Sequence, residues 1–179
     1  PRNYAFKFRN GEEILNHYSI IGMALAIDGY PLYFDATNEE GLSMAGLNFP
    51  DNAIYNHSEK NKENIASFEL IPWVLCRCKT VADAEVLLEN INITDEAFRE
   101  DMKPTPLHWI IVDRDKGITV EQTGSGLKIY ENPVGVLTNN PTFDMQMLNL
   151  SNYMSVSPDE PENKFSDKIR LKTYSRGLG

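Results

Sequence analysis

From Leu107 to Glu131 the chain alternates short apolar-rich runs with tight turns: LHWIIVD ends in Arg114-Asp115-Lys116-Gly117, ITVEQT in Gly124-Ser125-Gly126, and LKIYE in Asn132-Pro133. Strands joined by turns this short run antiparallel, because a parallel return needs a crossover of about a dozen residues. This part of the chain is therefore an antiparallel meander, and Val134 to Asn139 extends it as a fourth predicted strand. Gly124-Ser125-Gly126 resembles a nucleophile turn only superficially. Its place between two alternating runs makes it a hairpin turn.

The same grammar applies upstream. Tyr4 to Arg9 alternates, and Asn10-Gly11-Glu12-Glu13 turns it. Tyr18 to Ile27 is almost continuously apolar, the pattern expected of a strand buried on both faces. Asp28-Gly29-Tyr30-Pro31 is a hairpin signal that returns the chain along Leu32 to Ala36. Asn38-Glu39-Glu40 then turns into a third strand, Gly41 to Asn48, and Asp51 to Asn64 reads as a polar surface loop. Phe68, Ile71, Val74, Leu75 and Cys78 have helical spacing, which predicts a helix over Ala66 to Cys78 with Ser67 at its N-cap. Pro72 is tolerated only in a first turn, which moves the start toward Leu70. Thr80 caps a second predicted helix with Val81, Ala84, Leu87, Leu88 and Ile91 on one face. Pro141 opens a third over Thr142 to Tyr153, and Ser155 to Asn163 reads as a loop or arm. Strands, two helices, strands and a helix make an α+β chain, either two sheets between helices or a plain two-layer domain.

Composition narrows the function. A formal charge of -9 opposes binding to nucleic acid or an anionic membrane, since polyanions need a basic surface. Arg2, Lys7 and Arg9 form a local basic group that reads as a solvated strand face. No apolar run approaches membrane-spanning length. Cys76 and Cys78 lie two apart in a predicted helix, so they diverge around its axis. With His17, His57 and His108 scattered, neither a metal-ligand spacing nor a disulfide framework exists, and reduced cytosolic thiols are expected. No phosphate loop, dinucleotide fingerprint or serine elbow appears, and no cofactor is expected. Two predicted strands end in asparagine, at Asn48 and Asn139. Each reads either as a turn residue or as an amide that holds a ligand. Paired neutral amides suit donation to a developing oxyanion.

The strings DGYPLYFDATNEEGLSMAGLNFP, IASFELIPWVL, LHWIIVD, VEQT and VLTNNPTF, in this order, resemble the bile salt hydrolases, or choloylglycine hydrolases. This family is grouped with penicillin V acylases among the N-terminal nucleophile hydrolases. The resemblance covers essentially the whole chain. It implies a four-layer αββα sandwich, a single domain segment over residues 1–179 truncated at both ends, a homotetramer, and a bacterial cytoplasmic location. The implied reaction is hydrolysis of the amide joining a steroid acid to glycine or taurine, through a thioester on an N-terminal Cys. That Cys has no counterpart here: the chain opens with Pro1, and Cys76 and Cys78 do not match the position. The segment by itself is expected to be inactive.

By the same resemblance, Asn139 matches the amide that donates to the oxyanion, and Asn48 a neighbouring position of that hole. Penicillin V acylases resemble this pattern with Tyr in place of Asn48, which favours conjugated bile salts as substrate. Ile27 and Phe34 from the first hairpin, and Phe98, Met102 and Leu107 from the later loop, are the implied steroid-facing residues. Penicillin V acylase, a non-catalytic steroid-binding remnant, and a catalytic Pro1 amine are the alternatives.

Overall fold

The computed structural model describes residues 4–154, 156–159, 162, 164 and 166–169. Arg2, Pro1 and parts of the predicted 155–163 arm lie outside the described residues. Two compact bodies are formed, residues 1–143 and 144–179. The first begins with a small hairpin, β1 (Phe6–Lys7) and β2 (Glu13–Ile14). Its centre is a six-stranded sheet of β3 (Ile20–Ile27), β4 (Tyr30–Asn38), β5 (Ser43–Asn48), β8 (Leu107–Val112), β9 (Gly117–Thr123) and β10 (Gly126–Glu131). The order across the sheet is β10-β9-β8-β5-β4-β3, and every neighbouring pair is antiparallel. The meander thus joins the N-terminal hairpins through β5 and β8.

Turn chemistry sets the register. Asp28 and Gly29 adopt φ of 53° and 77°, the paired positive angles of a two-residue hairpin turn, and Ile27 pairs with Tyr30. At the next turn Asn38 is buried and uses both ends of its amide. Its Oδ1 accepts from the backbone of Glu40 and Leu42, each at 3.1 Å. Its Nδ2 donates to the carbonyls of Leu75 at 3.0 Å and Cys78 at 2.7 Å. One side chain therefore shapes the β4–β5 turn and satisfies carbonyls at the end of the helix above it.

That helix differs from the prediction over Ala66 to Cys78. Glu63–Ala66 is a strand, β6, Ser67–Glu69 is a 3-10 turn, and the α-helix, α1, covers only Leu70–Leu75. Pro72 falls in its first turn, where no intrahelical donor is lost. Ser67 does not cap it. Thr80 does cap α2 (Val81–Leu88): its hydroxyl accepts from Asp83 N at 3.2 Å, while Asp83 Oδ2 accepts from Thr80 N at 3.0 Å. Ile91 does not continue α2 but opens β7 (Ile91–Thr94), parallel to β6. All four β7 residues are buried, so the alternation that would mark a strand is missing.

The core lies between one face of the sheet and these helices, with Met44, Trp109, Ile111, Ile118 and Val120 beneath Leu70, Trp73, Val74 and Leu88. The edge strand β3 contradicts the expectation of burial on both faces. Ile21 is 79% exposed, and Met23 and Leu25 are also open. Apolar composition marks what a strand can bury; what packs against it decides whether it does. The predicted strand over Val134 to Asn139 is also absent. Asn132 instead accepts from Gly135 N at 3.0 Å and donates to Val136 O at 3.0 Å, so a side chain folds the segment into a turn. The helix predicted over Thr142 to Tyr153 is α3 (Phe143–Leu150) followed by a 3-10 turn, Ser151–Tyr153.

Candidate active site

A cavity of about 570 Å³ opens on the first body and draws its wall from β4, β5, the segment before α1 and the loop before β8. Phe34, Asn48, Phe98, Met102, Leu107 and Asn139 all border it. Ile27 does not; Leu25 from the same strand takes part instead. Phe34 owes its place to a bulge. The register of β3 and β4 jumps from Met23↔Asp35 to Ala24↔Tyr33, which leaves Phe34 as the extra residue between two pairs. A bulge re-aims its side chain, and Phe34 and Tyr33 both reach the cavity. Ile27 sits past it, next to the hairpin turn.

Asn48 ends β5, paired with Leu107, and the next residue leaves the sheet. Phe49 N donates to Pro106 O at 2.8 Å, which ties the exit of β5 to the start of β8. Tyr55 braces the same corner: Leu107 N donates to its hydroxyl at 2.7 Å, and that hydroxyl donates to Thr105 O at 2.9 Å. Burial pushes the Tyr55 phenol up to about 12, so it stays a neutral donor. Asn139 lies in the turn-rich segment after β10, just before the cis bond of Asn140-Pro141. Asn52 Nδ2 donates to Asn140 Oδ1 at 2.8 Å and so bridges the two asparagine-bearing segments. The structure brings both to one cavity, although ninety-odd residues separate them in sequence.

The wall is mostly apolar, and among the described residues Lys103 is its one charged member. Phe98 is held by packing from several sides. Phe68 meets it edge-on at 5.3 Å, and Arg9 lies 5.8 Å from the centre of each ring. The Arg9 guanidinium also donates to Phe98 O at 2.7 Å. Arg9 is exposed, as expected of a solvated face, and it also clamps the cavity wall, which the alternation around it could not reveal. Behind the wall Glu69 is buried, with Oε1 accepting from Arg9 N at 2.9 Å. Burial pushes its carboxyl from 4.5 up to about 7. The folded state then holds more protons than the unfolded chain across that interval, and stability falls as pH rises from 4.5 to 7. Glu69→Gln is expected to flatten this decline and to stabilise the complete enzyme at about pH 8 by roughly 2 to 3 kcal/mol. Denaturant midpoints of both proteins at low and high pH check it; parallel pH curves would refute it.

Cys76 and Cys78 are free and buried, and burial pushes both thiols up to about 12. Neither supplies a thiolate near neutral pH. Among the described residues no cluster of three His, Cys, Asp or Glu side chains is placed to hold a metal, and no helix is long and apolar enough to cross a membrane.

Comparison with known proteins places this cavity in a family. The model of linear amide C–N hydrolases, choloylglycine hydrolase family, matches residues 1–179. The chain is 46% identical to a bile salt hydrolase/transferase of Lactiplantibacillus plantarum, over all of this chain and 55% of the relative. It is 40% identical to a conjugated bile acid hydrolase of Lactobacillus gasseri, over all of this chain and 57% of that protein. The chain thus spans little more than half the length of these relatives. In three dimensions it resembles a variant of conjugated bile acid hydrolase from Clostridium perfringens, with TM-score 0.86 and 37% identity over 99% of this chain and 56% of the other. A penicillin V acylase from Agrobacterium tumefaciens shares the fold alone, with TM-score 0.67 and 22% identity over 86% of this chain and 46% of the other. The likeness to both neighbours agrees with the α+β class expected from the order of the elements. By the length of the family match and by its fold, the chain belongs to the choloylglycine hydrolase family of linear amide C–N hydrolases.

Proposed function

We propose that residues 1–179 form one continuous part of the catalytic domain of an enzyme that hydrolyses glycine- or taurine-conjugated bile salts. The observation that carries this reading is the convergence of Asn48 and Asn139 on a largely apolar cavity of about 570 Å³. Its size is that of a site for a small molecule, and its wall suits a flat hydrophobic acyl group. Lys103 adds a positive charge suited to the anionic end of a conjugate. The nucleophile is a thiolate supplied from outside these residues, since both thiols present are buried and protonated.

In the proposed reaction the thiolate adds to the amide carbonyl. A C–S bond forms, and the carbonyl electron pair moves to oxygen. The side-chain N–H groups of Asn48 and Asn139 donate to that oxyanion without adding a titratable group. Collapse restores the carbonyl and breaks the C–N bond, while the leaving nitrogen takes up the proton that the thiol gave up on becoming a thiolate, so glycine or taurine departs as an amine. Water then adds to the thioester, the C–S bond breaks, and free steroid acid and the thiol are released. Phe34, Phe98, Met102 and Leu107 hold the steroid. Ile27, placed beside the hairpin turn, has no part in this wall. The working form is a cytoplasmic homotetramer without cofactor.

The complete enzyme is expected to release taurine or glycine from conjugated bile salts at least tenfold faster than it opens penicillin V at equal concentration; the reverse preference overturns the reading. Phe98→Ala removes a wall that meets the acyl group in ground and transition states alike. It is expected to raise KM for conjugated bile salts about tenfold with kcat nearly unchanged. Unaltered KM would remove Phe98 from the site.

A further inference from the structure

Beneath the two asparagines, the sheet buries an ionisable pair that the reaction does not consume. His108 of β8 and Glu121 of β9 are both fully buried, and they lie one step beyond the cross-strand pair Trp109↔Val120. His108 Nδ1 and Glu121 Oε1 are 3.0 Å apart. Each residue also holds one of the segments that carry the amides. The ring of Phe49, next to Asn48, stacks on the His108 imidazole with centroids 4.1 Å apart and planes 6° from parallel. The backbone N–H of Phe143, which closes the segment running on from Asn139, donates to the same Glu121 Oε1 at 3.0 Å. A continuous chain therefore runs from Asn48 through Phe49, His108, Glu121 and Phe143 back toward Asn139, under the outer bridge from Asn52 to Asn140.

Stability does not account for this pair. A buried histidine and carboxylate cost desolvation that a well-packed apolar pair of similar volume avoids. His108 Nε2 and Glu121 Oε2 have no hydrogen-bond partner among the described residues, which adds to that cost. Such a pair has directionality that an apolar one lacks. It fixes an imidazole plane on one side and a backbone N–H on the other, and through them the separation of two distant loops.

We infer that His108 and Glu121 are positioning residues, which hold the Asn48 and Asn139 segments at the spacing the oxyanion requires. The inference rests on the proposed role of the two amides. Misplacement of such donors by about 1 Å costs on the order of a hundredfold in rate, although the donors themselves remain. Binding of the steroid draws on other walls of the cavity, so the effect falls on kcat.

The test uses the complete enzyme and steady-state hydrolysis of a taurine-conjugated bile salt. Glu121→Leu is expected to lower kcat by about tenfold to a hundredfold with KM changed by less than about threefold. Glu121→Gln, whose carbonyl oxygen still accepts from Phe143 N and His108, is expected to keep kcat within about threefold of the parent. In an Asn139→Ala background, Glu121→Leu is expected to cost clearly less than it does in the parent, because one of the two donors whose spacing it sets is gone. Should Glu121→Leu fail to fold, His108→Phe with Glu121→Leu keeps the stack on Phe49 while removing the polar link, and the same loss of kcat is expected. Equal losses in Glu121→Gln and Glu121→Leu would overturn the inference, as would a loss that multiplies undiminished in the Asn139→Ala background. A normal kcat in Glu121→Leu, beside a large loss in Asn139→Ala, would overturn the positioning role and leave the amide reading intact. A normal kcat in Asn139→Ala would instead remove the amide reading and the inference with it.

Discussion

Asn139→Ala in the complete enzyme is expected to lower kcat by about a hundredfold to a thousandfold, or roughly 3 to 4 kcal/mol of transition-state stabilisation, with little change in KM. The amide borders the cavity from an exposed turn and is no part of the core, so its removal leaves the fold in place. The carbonyl oxygen of the substrate carries only partial charge before attack and a full charge afterwards. A donor aimed at that oxygen therefore contributes mostly to the transition state, which is why the loss appears in kcat. Single-turnover measurement of acyl-enzyme formation separates this step from product release. A kcat near that of the parent would show that Asn139 only shapes its turn.

Trp109→Ala is expected to destabilise the folded protein by about 3 to 5 kcal/mol, read as a lower midpoint of denaturant unfolding. Trp109 is fully buried in the centre of the sheet, and Gly46 stands opposite it in register. A Cβ at Gly46 would lie 3.2 Å from the indole nitrogen, so the glycine makes room for the ring. Gly46 also borders the cavity. Removing the indole leaves a hole directly under the site, and surrounding β-strands collapse poorly into such holes. The indole N–H has no partner among the described residues, so Trp109→Phe loses no hydrogen bond and is expected to cost less than half as much. Equal costs for the two substitutions would show that the indole N–H, and not its volume, matters.

Much of the local structure was legible residue by residue. Asp28-Gly29 specified a hairpin turn because few pairs tolerate two positive φ angles, and that turn is present. Thr80 specified a helix start because its hydroxyl satisfies a donor the helix leaves free. The meander from Leu107 to Glu131 followed from turn lengths that forbid any other pairing. The strand errors have one physical origin. Side chains within the segment predict a strand over Val134 to Asn139 and place Ile91 on a helix face, yet Asn132 captures the first segment and total burial hides the strand period of Ile91 to Thr94. The exposed β3 errs in the same way, since an apolar strand does not specify its cover.

The residues alone determined that this chain forms an antiparallel α+β sheet, and where its turns fall, because turn geometry and side-chain period act over a few neighbours. They also supplied Asn48 and Asn139, at the ends of two predicted strands, as candidates, though only as turn residues or ligand donors. Tertiary structure decided that Asn48 and Asn139 face one cavity, that a bulge turns Phe34 into it while Ile27 stays out, that Arg9 clamps Phe98, and that His108 and Glu121 lie paired beneath. Each of these depends on register between strands distant in sequence. Register is a collective outcome of packing, which no short stretch of residues carries by itself.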